Sequence, residues 1–112
     1  MTRKLVGRVP RAEVEEKKLL RMDYPPFDVL VVFDEGRFFA IEDACNHAGA
    51  SLEPGYVENA CIVCPVHGYK FSLETGELLA PKGLCDSQRT FTVELLPDEI
   101  VVWDTFSLLV MR

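Results

Sequence analysis

The two histidines of this chain are its strongest constraint, because each stands within three residues of a cysteine. Cys45-Asn46-His47 and Cys64-Pro65-Val66-His67 are separated by 16 residues, and the chain contains no other histidine. Two such loops side by side would present two sulfurs and two imidazole nitrogens to one point. The remaining cysteines, Cys61 and Cys85, fall in the same stretch, between residues 42 and 86. Gly49, Pro54, Gly55, Pro65, Gly68, Gly76, Pro81 and Gly83 break that stretch into short pieces. Regular β-type runs lie on either side of it.

Those flanking runs predict an all-β framework. Residues 5–9 read as a strand ended by Pro10. Residues 11–18 are charged and suit one or two helical turns or a loop, and residues 18–22 suit a second strand. Asp23-Tyr24-Pro25-Pro26 is a turn. Residues 28–33 and 37–41 are branched and aromatic, and Asp34-Glu35-Gly36 between them predicts a hairpin with a three-residue loop. Residues 90–95 and 100–103 form a second pair around Pro97-Asp98-Glu99, with Trp103 and the phenylalanines in the core. The expectation is one domain over residues 1–104, a small antiparallel sandwich or incomplete barrel carrying a loop-rich lobe at about 43–86. The tail, residues 105–112, reads as a further strand over the core rather than a patch for a partner or a second copy.

Composition narrows the setting. At 112 residues, 48% hydrophobic and 27% charged, the chain suits a folded domain. Its longest apolar runs, at 29–33 and 108–111, are far short of the roughly 20 residues that cross a bilayer. No apolar leader follows Met1, so a cytoplasmic location is expected. A net charge of −6 argues against nucleic acid and anionic membranes, while permitting a basic protein partner. A monomer is expected. In a reducing compartment, clustered cysteines point to metal or redox use rather than to disulfides.

In an extended loop, a Cys-x-His spacing turns both side chains to one side. Cys-x-x-His does the same through a turn, for which Pro65 and Gly68 supply the residues. Zinc accepts two cysteines and two histidines tetrahedrally. A [2Fe–2S] cluster accepts the same four with two cysteines on one iron and two histidines on the other. Zinc fingers pair like with like along the chain. Here each loop offers one of each, which suits two adjacent metal atoms, and the cluster is the favoured reading.

Residues 45–52 (Cys-Asn-His-Ala-Gly-Ala-Ser-Leu) and 64–71 (Cys-Pro-Val-His-Gly-Tyr-Lys-Phe) closely resemble the two cluster-binding loops of Rieske-type ferredoxins. The likeness continues through residues 72–77 and both flanks, covering roughly residues 3–104. It implies that Cys45 and Cys64 hold the inner iron and that His47 and His67 hold the outer one. It also implies that Gly49 and Gly68 let the backbone pass close to the cluster, and that Pro81 lies in a loop shielding it. High-potential Rieske proteins carry an additional cysteine in each loop, joined as a disulfide; Ala50 and Val66 stand in those places here. They also place a serine and a tyrosine where this chain has Tyr69 and Phe71. Losing hydrogen bonds to the sulfurs lowers the potential, to about −150 mV at the bottom of the Rieske range.

The resemblance therefore implies a carrier without a catalytic site, moving single electrons from a flavoprotein reductase to an oxygenase or another acceptor. The small subunit of assimilatory nitrite reductase and stand-alone Rieske-domain proteins share the pattern. A zinc-stabilised interaction module is the non-redox alternative. Cys61 and Cys85 read as packed thiols. Glu42, Asp43 and Glu53 offer either an acidic docking rim or an ordinary solvated face.

Overall fold

Pro10 closes strand β1 (Lys4–Pro10) and begins helix α1 (Arg11–Lys17). Its ring fixes φ at −61°, a value suited both to the end of an extended run and to the start of a helix. Glu13–Lys17 and Arg11–Glu15 pairs, at 3.0 and 3.3 Å, support the helix, which buries Val14. Lys18 then turns the chain in the left-handed region (φ 71°), its N–H bonded to the Val14 carbonyl. In this computed structural model residues 3–24, 28–43, 56–64, 68–80 and 88–105 are described. The tail beyond residue 105 lies outside them, as does Cys85.

After β2 (Leu19–Met22), strands β3 (Val29–Asp34) and β4 (Arg37–Glu42) form the expected hairpin. Its loop is shorter than the sequence suggested. Asp34 pairs with Arg37, leaving a two-residue turn in which Glu35 and Gly36 have φ of 50° and 80°. Positive φ at both central positions gives the strands the twist of a tight hairpin. Released from the loop, Asp34 accepts a hydrogen bond from the Ala60 N–H at 2.9 Å.

The lobe has its own sheet. Strands β5 (Tyr56–Glu58), β6 (Cys61–Val63), β7 (Lys70–Ser72) and β8 (Leu78–Ala80) are antiparallel in chain order. Strands β9 (Thr90–Leu95) and β10 (Glu99–Asp104) return to the frame, giving a six-stranded sheet ordered β1-β10-β9-β4-β3-β2. This sheet curls until its edges meet: a Cβ on Gly7 of β1 would lie 2.5 Å from the Met22 methyl of β2. The architecture is thus an incomplete barrel with a second small sheet packed on it. None of the helices among the described residues is long and apolar enough to cross a membrane.

Strand β3 is buried on both faces. Val29 and Val31 join Val9, Val14, Ala40, Phe91, Ile100 and Val102 inside the curled sheet. Leu30 and Val32 turn the other way, with Phe39 and Ile41, onto Ile62, Phe71, Leu73 and Leu78 of the lobe. A strand covered on both sides reads as an unbroken apolar run, as residues 29–33 do. Trp103 departs from its expected core position. It is half-buried at the sheet's outer face, its indole N–H bonded to Glu94 at 2.8 Å and Arg3 lying 4.0 Å over its ring.

Gly76, between β7 and β8, is where the lobe's last turn meets the frame. Its φ is +79°, its carbonyl accepts the Gln88 N–H at 2.6 Å, and an added Cβ would fall 1.9 Å from the Gln88 carbonyl oxygen. Gly36 has a similar φ of +80°, but no atom of the described residues lies within 4 Å of its would-be Cβ. Gly76→Ala should therefore cost about 2–4 kcal/mol, the left-handed penalty plus the clash, and Gly36→Ala only about 1–2 kcal/mol. Urea midpoints of the two variants would separate the contributions.

Candidate metal centre

Strand β6 ends at Val63, and Cys64 begins the turn that leads to β7. Two backbone bonds close that turn: the Gly68 N–H donates to the Cys64 carbonyl at 2.9 Å, and the Cys64 N–H to the Tyr69 carbonyl at 2.7 Å. Gly68 has φ +72°, which only glycine adopts without strain, and no atom of the described residues stands within 4 Å of where a Cβ would be. The close passage expected at Gly68 is compatible with that open side. Cys64 itself is 1% exposed and packs with Tyr69 and Phe71 against Ile62 and Leu73. Tyr69 and Phe71 both face this cluster because Lys70 between them faces outward.

The Cys64 thiol is free of any disulfide, as is that of Cys61, which sits buried on β6 as a packed residue. A soft sulfur at the mouth of a glycine turn suits an iron–sulfur cluster or zinc. Cys45, His47, His67, Gly49 and Pro81 lie outside the described residues, as does Glu53. Among the assigned ligands the structure therefore describes Cys64 alone. Among the described residues, a cavity of about 350 Å³ is lined by Lys18, Leu19, Phe33, Asp34, Glu35 and Val57, and Cys64 is not one of them.

The root of the first loop is a polar network that nothing in the sequence signalled. Asp43 is 5% exposed and pairs with Arg21 at 3.4 Å, and its N–H donates to the Asp28 carbonyl at 2.8 Å. Glu42 is half-buried. Asp43 forms neither the acidic rim nor the solvated face read from the sequence, because the frame folds over it. Glu42 is tied by its N–H to the Arg89 carbonyl (2.8 Å) and by its carbonyl to the Gln88 side-chain amide (3.2 Å). The Arg89 guanidinium pairs with Asp104 at the end of β10, which also accepts the Tyr24 hydroxyl at 2.6 Å. Tyr24 in turn stands edge-on to Phe91. Local sequence marks Tyr24 only as a turn residue; its partner is 80 positions away.

Burial raises the Glu42 pKa above the ordinary 4.5, with Arg89 opposing. A raised carboxylate pKa means that stability is fullest below pH 4.5 and declines as pH rises through the folded value. Glu42→Gln should therefore melt higher than the parent at pH 7, with the gap closing below pH 4.5. Burial, and then the bond to Asp104, raise the Tyr24 pKa above 10.0. Its stabilising effect is present below pH 10 and is lost as pH rises through the folded value. Tyr24→Phe should cost about 1 kcal/mol at neutral pH, and the deficit should shrink in melts taken above pH 10.

With this geometry in hand, likeness to known proteins is informative. A family model described as the Rieske [2Fe-2S] domain matches residues 5–92. The ferredoxin component of biphenyl 2,3-dioxygenase from Rhodococcus jostii is 38% identical over 85 residues, 76% of this chain and 78% of that protein. The ferredoxin of carbazole 1,9a-dioxygenase from Nocardioides aromaticivorans has a similar structure (TM-score 0.75, 27% identity), covering 91% of this chain and 97% of the other. A structure of reduced oxygenase in complex with oxidized ferredoxin, also of carbazole 1,9a-dioxygenase, matches with TM-score 0.75 and 27% identity. There the match covers 89% of this chain and 91% of that one.

Proposed function

The chain belongs to the Rieske [2Fe-2S] domain family, and from that premise we propose that it carries single electrons to an oxygenase. The cofactor of this family is a Rieske-type [2Fe–2S] cluster, and the chain is an electron-transfer protein rather than a catalyst. We assign Cys45 and Cys64 to one iron and His47 and His67 to the other. The observation that carries the assignment is Cys64, a buried free thiol at the mouth of a glycine-closed turn. When bound, the cluster supplies one-electron transfer; iron fully ligated by protein leaves no position open to substrate.

The chain's own residues would tune that centre. Phe71, fully buried beside Cys64, brings no hydroxyl to a sulfur. Apolar packing of this kind favours the less charged, oxidised state and keeps the potential low. A low potential suits a carrier fed by a flavoprotein reductase. We take the carrier to be a cytoplasmic monomer whose two partners are that reductase and a terminal oxygenase. The matched ferredoxin–oxygenase complex supports an oxygenase as acceptor.

The test is visible absorption and low-temperature EPR on protein purified without oxygen, before and after dithionite. A red-brown protein whose reduced form shows the low average g of mixed histidine–cysteine ligation is expected. Cys64→Ala should abolish that signal while leaving the far-ultraviolet circular dichroism of the frame in place. A colourless protein holding stoichiometric zinc and no iron would overturn the reading.

A further inference from the structure

Gln88 is a buried amide, 2% exposed, at the one described place where the frame, the lobe and the root of the first ligand loop meet. Its backbone N–H donates to the Gly76 carbonyl in the β7–β8 turn at 2.6 Å, holding the lobe sheet that begins its ligand turn at Cys64. Its side-chain Nε2 donates to the Glu42 carbonyl at 3.2 Å. Glu42 is the last residue of β4, three positions before Cys45. The next residue, Arg89, completes the clamp: its carbonyl takes the Glu42 N–H at 2.8 Å, so both peptide groups of Glu42 are held by this dipeptide. The same Arg89 is anchored through its guanidinium to Asp104.

A buried amide is a costly way to fill space, because every unpaired polar atom is penalised. An apolar side chain would supply the same packing. What an amide adds is direction: a carbonyl only accepts, so the nitrogen must face Glu42 at hydrogen-bond distance, and that sets the separation of the two segments. The bond from the Glu42 N–H to the Arg89 carbonyl continues the β4–β9 pairing, and the Gln88 amide adds to it a second bond, at the Glu42 carbonyl, on the side that leads to the first ligand loop. The two segments so joined lead, on one side, to Cys45 and His47 and, on the other, to Cys64 and His67.

We infer that Gln88 is a positioning residue for the metal centre, setting the spacing between the two ligand loops through the Glu42 carbonyl and the Gly76 turn. The inference rests on the cluster ligation proposed above. It makes Gln88 an outer partner of the cluster without contact to it. Groups bonded directly to ligands change metal binding by about 10–100-fold when substituted; Gln88 bonds Glu42 rather than a ligand, so the lower end of that range is expected.

The test compares three variants of the cluster-loaded protein. Gln88→Leu removes the amide, and Gln88→Asn keeps it one methylene short of Glu42. Asp34→Ala breaks a different hydrogen bond between frame and lobe, at Ala60, and so serves as the stability control. Each is read for urea midpoint, reduced-state EPR g values, reduction potential and rate of bleaching under an iron chelator. Gln88→Leu is expected to bleach about tenfold faster, with altered g anisotropy and potential, and Gln88→Asn to fall between it and the parent. Asp34→Ala is expected to lower the urea midpoint with g values and potential unchanged. Should Gln88→Leu fail to load, Gln88→Asn decides alone. Wild-type g values, potential and bleaching in Gln88→Asn, or bleaching that tracks the urea midpoint equally in all three, would overturn the inference. A parent protein that binds no iron would overturn the functional reading first, before any substitution is made.

Discussion

Everything in this molecule leans on the double burial of the β3–β4 hairpin. Val29 and Val31 pack into the curled sheet while Leu30 and Val32, one residue out of phase, pack under the lobe. All four are fully buried, and each contributes about 1.5–3 kcal/mol relative to an exposed side chain. The hairpin is thus the shared wall of two cores. Without it the lobe, whose strands are three residues each, would have no apolar surface large enough to rest on.

Burial of this kind has no direction, and a metal centre built from two loops needs one. Hydrogen bonds supply it. Asp34 fixes the turn of β5 and β6 through the Ala60 N–H, and Gln88 fixes the turn of β7 and β8 through the Gly76 carbonyl. Asn59 and Ala60 take positive φ there, 51° and 59°, although neither is glycine. The acceptor on Asp34 compensates that strain. The Asp34 bond bears on how firmly the small sheet is held, whereas the Gln88 side chain also reaches the root of the first loop at the Glu42 carbonyl.

The charge pattern is likewise organised by the fold rather than by local sequence. Asp43 and Glu42 lie next to the first loop in sequence, yet they point into the frame, where Arg21 and Arg89 answer them. The excess of acidic residues behind the −6 charge is therefore not concentrated at this root. A carrier of single electrons benefits from such an arrangement, since a rigid, locally compensated base limits reorganisation when its charge changes. The Tyr24–Asp104–Arg89 network continues the same base to the far strand of the barrel.

Much of this was readable from the chain alone, and for identifiable reasons. Strands β3, β4, β9 and β10 declare themselves through branched and aromatic runs, because the side-chain period of a strand is a local property. The pairing of cysteine with histidine in each loop is legible because ligand chemistry demands specific atoms, whatever surrounds them. The short strands of the lobe were not legible: three residues between glycines and prolines carry no period to detect. Trp103 reads as core by residue type, yet its register on β10 turns it outward. Gln88, Arg89, Asp104 and Tyr24 are ordinary polar residues in sequence, and only the closing of the sheet brings them together. Sequence by itself determined the framework and the donor atoms we propose, since both depend on neighbours along the chain. Tertiary structure alone decided how the lobe is held and which carboxylates are buried, because those contacts join residues up to 80 positions apart.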